Sequence, residues 1–356
     1  MLTVPFALLF LLFSCISKPN TNTNDTITSV DFKRFELKYA KGFEVIQNKQ
    51  GIQIFIKDTE SRAHLDSLWI SARNNTNQVK VYTRIVAQST THWAFINRIE
   101  GLNKLIGLCG IQYLSSDQAT RSKNISEICS SQGLNIEHIV ALDPEIVFLY
   151  PFGDKDKEAL TRLGLTTLYL NEYAESTPLA RAEWLKLFAL LTGIDPNQTY
   201  FEDIEKEYLR LKRDTSKDKL LVAFNLPFGD TWDMPSGNSM TAALVRDAGM
   251  YYPMSETKGN SNLVFRYEEA YKYLSAADYW IIIADRKSDF SFSQLLAENK
   301  IYGTFRAVKN RQVIFCNTSS SPYFSEAPTE PHVLLGDLIR CIEQPDLKNK
   351  YFNLLK

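Results

Sequence analysis

Apolar and polar positions alternate on either side of Gly51 in residues 36–57, ELKYAKGFEVIQNKQGIQIFIK, which predicts a β-hairpin. QVKVYTRIVA, 78–87, reads as a strand. After it come Ser89, Thr90, Thr91 and His92, then Trp93, Ile96, Ile99 and Leu102 at helical spacing, a helix with a Ser/Thr cap. Residues 105–108, LIGL, predict a second short strand. Asn135 is placed to cap a helix over Glu137 to Ala141 that stops at Asp143-Pro144. A strand at 146–150, a helix at 155–164 ending on Gly164, and the strand LTTLYL complete this half. Strand and helix alternating through short connections predict an α/β domain with a mostly parallel sheet.

Residues 178–213 break the rhythm. Pro178 opens a helix that runs to Gly193. Asp195-Pro196 then starts a second, with Asp195 as N-cap and Tyr200, Phe201, Ile204, Tyr208 and Leu211 as an apolar stripe. Its acids lie early and its bases late, as the helix dipole favours. The alternation resumes with a strand at 220–224 and continues through 239–248, 269–276, 279–284, 293–299 and 312–316. The prediction is therefore two α/β lobes, 31–177 and 218–356, joined by a helical segment at 178–217 that acts as a stiff connector, with no Gly/Ser linker between them.

The N-terminus changes the picture. MLTVPFALLFLLFSC is apolar up to Cys15 but shorter than the roughly 20 residues a membrane-spanning helix needs. It suits a secretory signal, 1–15, followed by a polar, aperiodic tether at 16–30. The ending Leu12-Phe13-Ser14-Cys15 resembles a bacterial lipobox, in which the Cys is lipidated, although no Lys or Arg precedes the apolar run. The expectation is a protein anchored to a membrane through Cys15 without spanning it. CISKPN carries no acidic cluster, which favours a periplasmic, inner-membrane location over the cell surface. In an exported chain, Cys109, Cys129, Cys316 and Cys341 permit disulfides in three pairings, or four separate buried thiols.

With 356 residues and 44% hydrophobic content the chain can build two cores, and a formal charge of -1 gives no footprint for nucleic acid. Enzyme motifs are missing: the four histidines are scattered without HxH or HExxH spacing, and there is no GxSxG, P-loop or GxGxxG. No catalytic residue, resident cofactor or metal site is expected.

Gly133-Leu134-Asn135-Ile136-Glu137 followed by the strand at 146–150 resembles class III periplasmic binding proteins. So do Leu105-Ile106-Gly107, Pro178 to Trp184, Trp232 to Gly237, Asp247-Ala248-Gly249, Ala277 to Trp280 and Pro331 to Ile339. Together they cover residues 79–345. The resemblance implies a monomeric carrier with a ligand cleft between two lobes and a rigid interdomain helix. Its cargo would be a ferric siderophore, cobalamin or haem, handed to the permease of an ABC importer. It puts permease docking on Glu137 and on Glu268 or Glu269. Ligands of open α/β sheets bind beyond the carboxyl ends of the strands. By that rule and the resemblance, the cleft is expected to hold Ser89, Thr90, Thr91, Tyr113, Tyr150, Trp232, Tyr323, Phe324 and Glu326.

The chain departs from the cobalamin-binding pattern in two places. Ser131 stands where those members carry a cleft Trp, and SSSPYFSEAPTEPH lacks their basic residue. A ferric catecholate would call for basic groups, for which Arg121, Lys123 and Arg266 are candidates; haem would call for an axial ligand such as His92 or Tyr113. The alternatives are a free zinc or manganese carrier of the same fold, or a tethered scavenger with no transporter.

Overall fold

The computed structural model describes residues 28–29, 35–70, 78–195, 199–214, 220–287 and 290–356. Cys15 and the expected signal peptide lie outside them. So does the tether, except for Thr28–Ser29, which pairs antiparallel with Gln78–Val79.

The first lobe is built on a five-stranded parallel sheet ordered Thr167–Tyr169, Ile146–Leu149, Ile85–Ala87, Leu105–Leu108, Ser126–Glu127. Its central strands Ile85–Ala87 and Ile146–Leu149 read as unbroken apolar runs because both faces are covered, and every residue in them is buried, whereas the edge strand Ser126–Glu127 is polar and half-buried. The strand expected over 78–87 is two short pieces. Between them the backbone leaves the sheet, and the Tyr82 N–H donates to the Leu191 carbonyl at 2.9 Å. The predicted hairpin forms from Phe43–Asn48 and Gly51–Lys57, and an unpredicted third strand, His64–Trp69, pairs with its second arm.

The second lobe holds Val222–Phe224, Tyr279–Ala284 and Val313–Asn317 in parallel, finished by the antiparallel Asn353–Leu354. An antiparallel ribbon, Thr231–Pro235 with Asn262–Arg266, is added to it.

Between the lobes the first expected helix is two, Pro178–Ala182 and Leu185–Thr192. Thr177 caps the pair at its start, and Gly193 ends it at a φ of 75°, where a side chain would also collide with Val81. The second helix is Phe201–Leu211, shorter than expected. Its N-cap is Tyr200 in the left-handed region, not Asp195, and Pro196 lies outside the described residues. Phe201, Ile204 and Tyr208 are buried as the stripe predicts, whereas Tyr200 is exposed. One apolar core runs from Phe43 through Leu185–Leu191 into Leu334–Ile339, so the junction is packed solid. The Glu183 carboxylate adds a clamp by accepting from the backbone N–H of Lys38, Tyr39 and Ala40.

Among the four cysteines, Cys109 and Cys129 form a disulfide, and Cys316 and Cys341 are buried thiols.

Candidate functional site

Both sheets point the carboxyl ends of their strands at the junction between lobes, and a cavity of about 710 Å³ opens there. Ligand pockets run to roughly 300–1,000 Å³. The first lobe supplies Thr90 at the head of the helix Thr90–Arg98, and the loop Gln112–Ser115 beyond the strand Leu105–Leu108. That loop turns on Gly110 at a φ of 91°, in the left-handed region that glycine tolerates. The Glu127 carboxylate pins it, accepting from the N–H groups of Gly110 and Ile111, and the Cys109–Cys129 disulfide ties down its base. The second lobe supplies Asp285 beyond Tyr279–Ala284, and the run Thr318–Ser321 with Phe324 and Ser325 beyond Val313–Asn317.

Of the expected cleft residues, Thr90, Tyr113 and Phe324 line this cavity. Tyr113 is 78% exposed and Phe324 54%, large values for aromatic rings, and the two come from opposite lobes. Ser89 and Thr91 are turned to internal work: Ser89 Oγ accepts from the Thr91 N–H as the helix cap, and Thr91 is buried. Glu326 lies between the lobes and bonds to protein. Its carboxylate accepts from Gln118 Nε2 at 2.6 Å and pairs with Lys350. Tyr323 packs inward against Tyr351 and Phe352, and burial pushes its phenol up to about 12.

Trp232 requires a correction. It is fully buried in the second lobe's core against Tyr267, Trp280, Tyr302 and Phe305, and its Nε1 donates to the Phe224 carbonyl. It offers a ligand no face, because the ribbon that carries it folds back over the sheet.

Tyr150 ends the strand next to Ile85–Ala87 and is half-buried, outside the lining of the cavity. Its ring meets Phe152 and Tyr173, and its hydroxyl donates to Glu172 at 3.0 Å. Below it lies a buried polar cluster. Glu172 Oε2 stands 3.8 Å from His92 Nε2, and Glu172 Oε1 stands 3.5 Å from Arg181. Burial, then the Arg181 charge, pushes His92 down to about 3, so its imidazole is neutral. Burial raises Glu172, with Arg181 and Tyr150 pulling the other way. His92 is sealed beneath Tyr150, which rules it out as an axial ligand to anything in the cleft.

Arg121, Lys123 and Arg266 do not line the cavity; Arg121 is held by Asp117 and Asn97. Among the described residues one grouping brings three His, Cys, Asp or Glu ligand atoms together, Cys109, Glu127 and Cys129, and both of its sulfurs are spent in the disulfide.

Glu137 stands exposed in the first turn of Ile136–Ala141, capped by Asn135 as predicted. Glu268 and Glu269 are exposed in the first turn of Tyr267–Leu274. They differ in one respect: the Glu269 carboxylate accepts from the Arg266 N–H at 3.2 Å.

Sequence reasoning missed Gln112, Ser115, Asp285 and Thr318–Ser321. The signal was there, since each follows directly on the carboxyl end of a strand or on the loop beyond it.

A family model of periplasmic binding proteins matches residues 104–319. An uncharacterized lipoprotein of Methanocaldococcus jannaschii is 26% identical over 384 aligned residues, covering 94% of this chain and 90% of its own length. Among solved structures, a periplasmic haem binding protein from Pseudomonas aeruginosa has a TM-score of 0.60 at 16% identity, over 78% of this chain and 99% of that one. The periplasmic vitamin B12 binding protein of Vibrio cholerae has a TM-score of 0.53 at 14% identity, over 74% of this chain and 97% of that one. At such identities these likenesses are of fold. Among the described residues no helix is long and apolar enough to cross a membrane. With two parallel-sheet lobes around a cleft and the family model covering more than half its length, the chain belongs to the periplasmic binding protein family.

Proposed function

We propose that this protein is a membrane-anchored substrate-binding lipoprotein that captures a large iron- or cobalt-containing ligand, a ferric siderophore, cobalamin or haem, and delivers it to an inner-membrane ABC importer. The observation that carries the reading is the interlobe cavity with Tyr113 and Phe324 exposed on opposite walls. Flat, rigid rings with a polar edge suit a macrocycle or a chelate. They would serve a bare zinc or manganese ion poorly, since it needs converging imidazoles and carboxylates. The importer contacts fall to Glu137 and Glu268, whose carboxylates stand exposed in first turns. The anchor falls to Cys15, in keeping with the lipoprotein relative.

The test is to purify the full chain from its host and record its visible absorption. A corrin, a haem and a ferric siderophore absorb differently, and the chain should carry one of these bands. A colourless protein that also binds none of the three on addition would sink the reading. Cys15→Ser should release the chain from membranes or block its maturation; membrane retention with no lipid on Cys15 by mass spectrometry would remove the anchor.

A further inference from the structure

The cavity has a charge composition that bears on its cargo. Its lining combines hydroxyl and amide groups and two aromatic rings with the apolar Leu114, Ile283, Ala284 and Pro322, and Asp285 is the one charged residue in it among those described. No cation lines the cavity among the described residues: Lys287, exposed two residues past Asp285, lies outside the lining, and three others nearby are committed elsewhere. Arg181 faces Glu172, Lys350 faces Glu326 and Glu330, and Arg286 faces Glu298. Asp285 is exposed at the end of Tyr279–Ala284; Arg286 reaches its backbone carbonyl, while its carboxylate meets no partner among the described residues.

An anion entering this cavity would give up water without gaining a cation, and it would face a carboxylate. A neutral ligand can offset its lost water: amide, hydroxamate or hydroxyl edges find Thr90, Ser115, Thr318 and Ser320, while a flat face meets Tyr113 or Phe324. A cationic ligand would gain Asp285, and also the faces of the two rings.

We infer that the cleft takes neutral or cationic metal chelates and disfavours polyanionic ones, with Asp285 as the residue that reads ligand charge. This rests on the carrier function proposed above and narrows its cargo. Uncharged corrinoids and neutral or cationic ferric hydroxamates fit; ferric tris-catecholates do not, and haem, with its propionates, ranks between them.

Calorimetric titration of the full-length chain in neutral detergent tests it, with four probes: a cationic ferric trihydroxamate, cobalamin, haem and a trianionic ferric tris-catecholate. The wild type should bind the best of the neutral and cationic probes at least about tenfold tighter than the tris-catecholate, with the gap widening at low salt. Asp285→Lys should raise affinity for the tris-catecholate and lower it for the cationic chelate, by about tenfold each, and leave cobalamin within about twofold. Asp285→Asn should give about half the logarithmic change. If the tris-catecholate binds wild type most tightly, or if Asp285→Lys shifts every probe equally, the charge inference fails and the carrier function stands. If no probe binds wild type, the carrier function fails and this inference with it.

Discussion

Gln118 Nε2 donates to Glu326 Oε1 at 2.6 Å across the lobe junction, joining residues 208 positions apart in the chain. The same amide's Oε1 accepts from Ser325 Oγ of the second lobe and from the Ser115 N–H of its own. One buried side chain thereby holds the loop with Tyr113 and Ser115 against the loop with Phe324 and Ser325, and both loops line the cavity. On the other side of the junction Asn260 does similar work, donating to Thr59 Oγ1 and the Ala174 carbonyl.

Gln118→Leu should therefore loosen the cleft. It removes a hydrogen bond to a charged group, worth about 1.5–3 kcal/mol, and two neutral ones. The ligand-free variant should be more expanded by solution scattering and should release cargo at least about tenfold faster, with the packed junction still limiting the lobes to small tilts. Unchanged scattering and unchanged release would show that the packed core alone sets the aperture.

The buried cluster under Tyr150 predicts a pH dependence. His92 is held neutral, with its pKa moved from 6.5 to about 3. Between those values the unfolded chain binds a proton at His92 that the folded chain does not. Its stabilising contribution is therefore complete above about pH 6.5 and is lost as pH falls towards 3. At about pH 5 the loss comes to about 2 kcal/mol. Glu172 has the opposite sign. Its raised pKa means that the folded form keeps a proton above 4.5, so its contribution favours folding at low pH and fades as pH rises through the folded value. His92→Phe isolates the first effect. Denaturant melts at about pH 7 and about pH 5 should show wild type losing about 2 kcal/mol more than the variant. Equal losses would mean that the imidazole is protonated in the folded protein.

The legible parts of the molecule are those written in local sequence. Ser89 and Asn135 mark helix starts, Gly193 a helix end, and LIGL and IVFL buried strands, because caps and apolar runs act over a few residues. The order of strand and helix, together with the family resemblance, pointed to a cleft at the carboxyl ends of the strands. Trp232 was misread because its surroundings are built by Asn262–Arg266 and by Trp280, which no local pattern around 232 announces. The role of Glu326 was hidden for the same reason, since its partner Gln118 lies in the other lobe. Tyr200 was counted into an apolar stripe that begins one residue later, where the chain emerges from a left-handed cap.

The carboxylates proposed for docking can be separated by what each already does. The Glu269 carboxylate supports its own helix through the Arg266 N–H, whereas Glu137 and Glu268 are exposed and free of such work. Glu137→Ala with Glu268→Ala should slow stimulation of the reconstituted importer's ATPase at low salt by about tenfold, fade in effect at high salt, and leave ligand affinity unchanged. Glu269→Ala should cost about 0.5–2 kcal/mol of stability, as lost helix caps do, with little effect on stimulation. Full stimulation by the double variant would favour a tethered scavenger; a matching loss of ligand affinity would put the two residues in the pocket.

Tyr113 and Phe324 face one cavity from opposite lobes, and both rings are largely exposed. Exposed rings add little to folding, so Tyr113→Ala and Phe324→Ala should leave the melting midpoint almost unchanged. Trp232→Ala, by contrast, opens a void in the core and should cost about 3–5 kcal/mol of stability. If one planar ligand lies between the two rings, each truncation should cost about 1–3 kcal/mol of binding, the range of aromatic anchors at interfaces. The double variant should then lose less than the sum, because a ligand freed from one wall no longer presses on the other. Calorimetric titration of wild type, both single variants and the double variant with one cargo closes the cycle. Losses within a few tenths of a kcal/mol of zero would place the ligand away from these rings. Losses that are large but strictly additive would mean that each wall holds a separate part of the cargo, and that the flat face is not gripped between them.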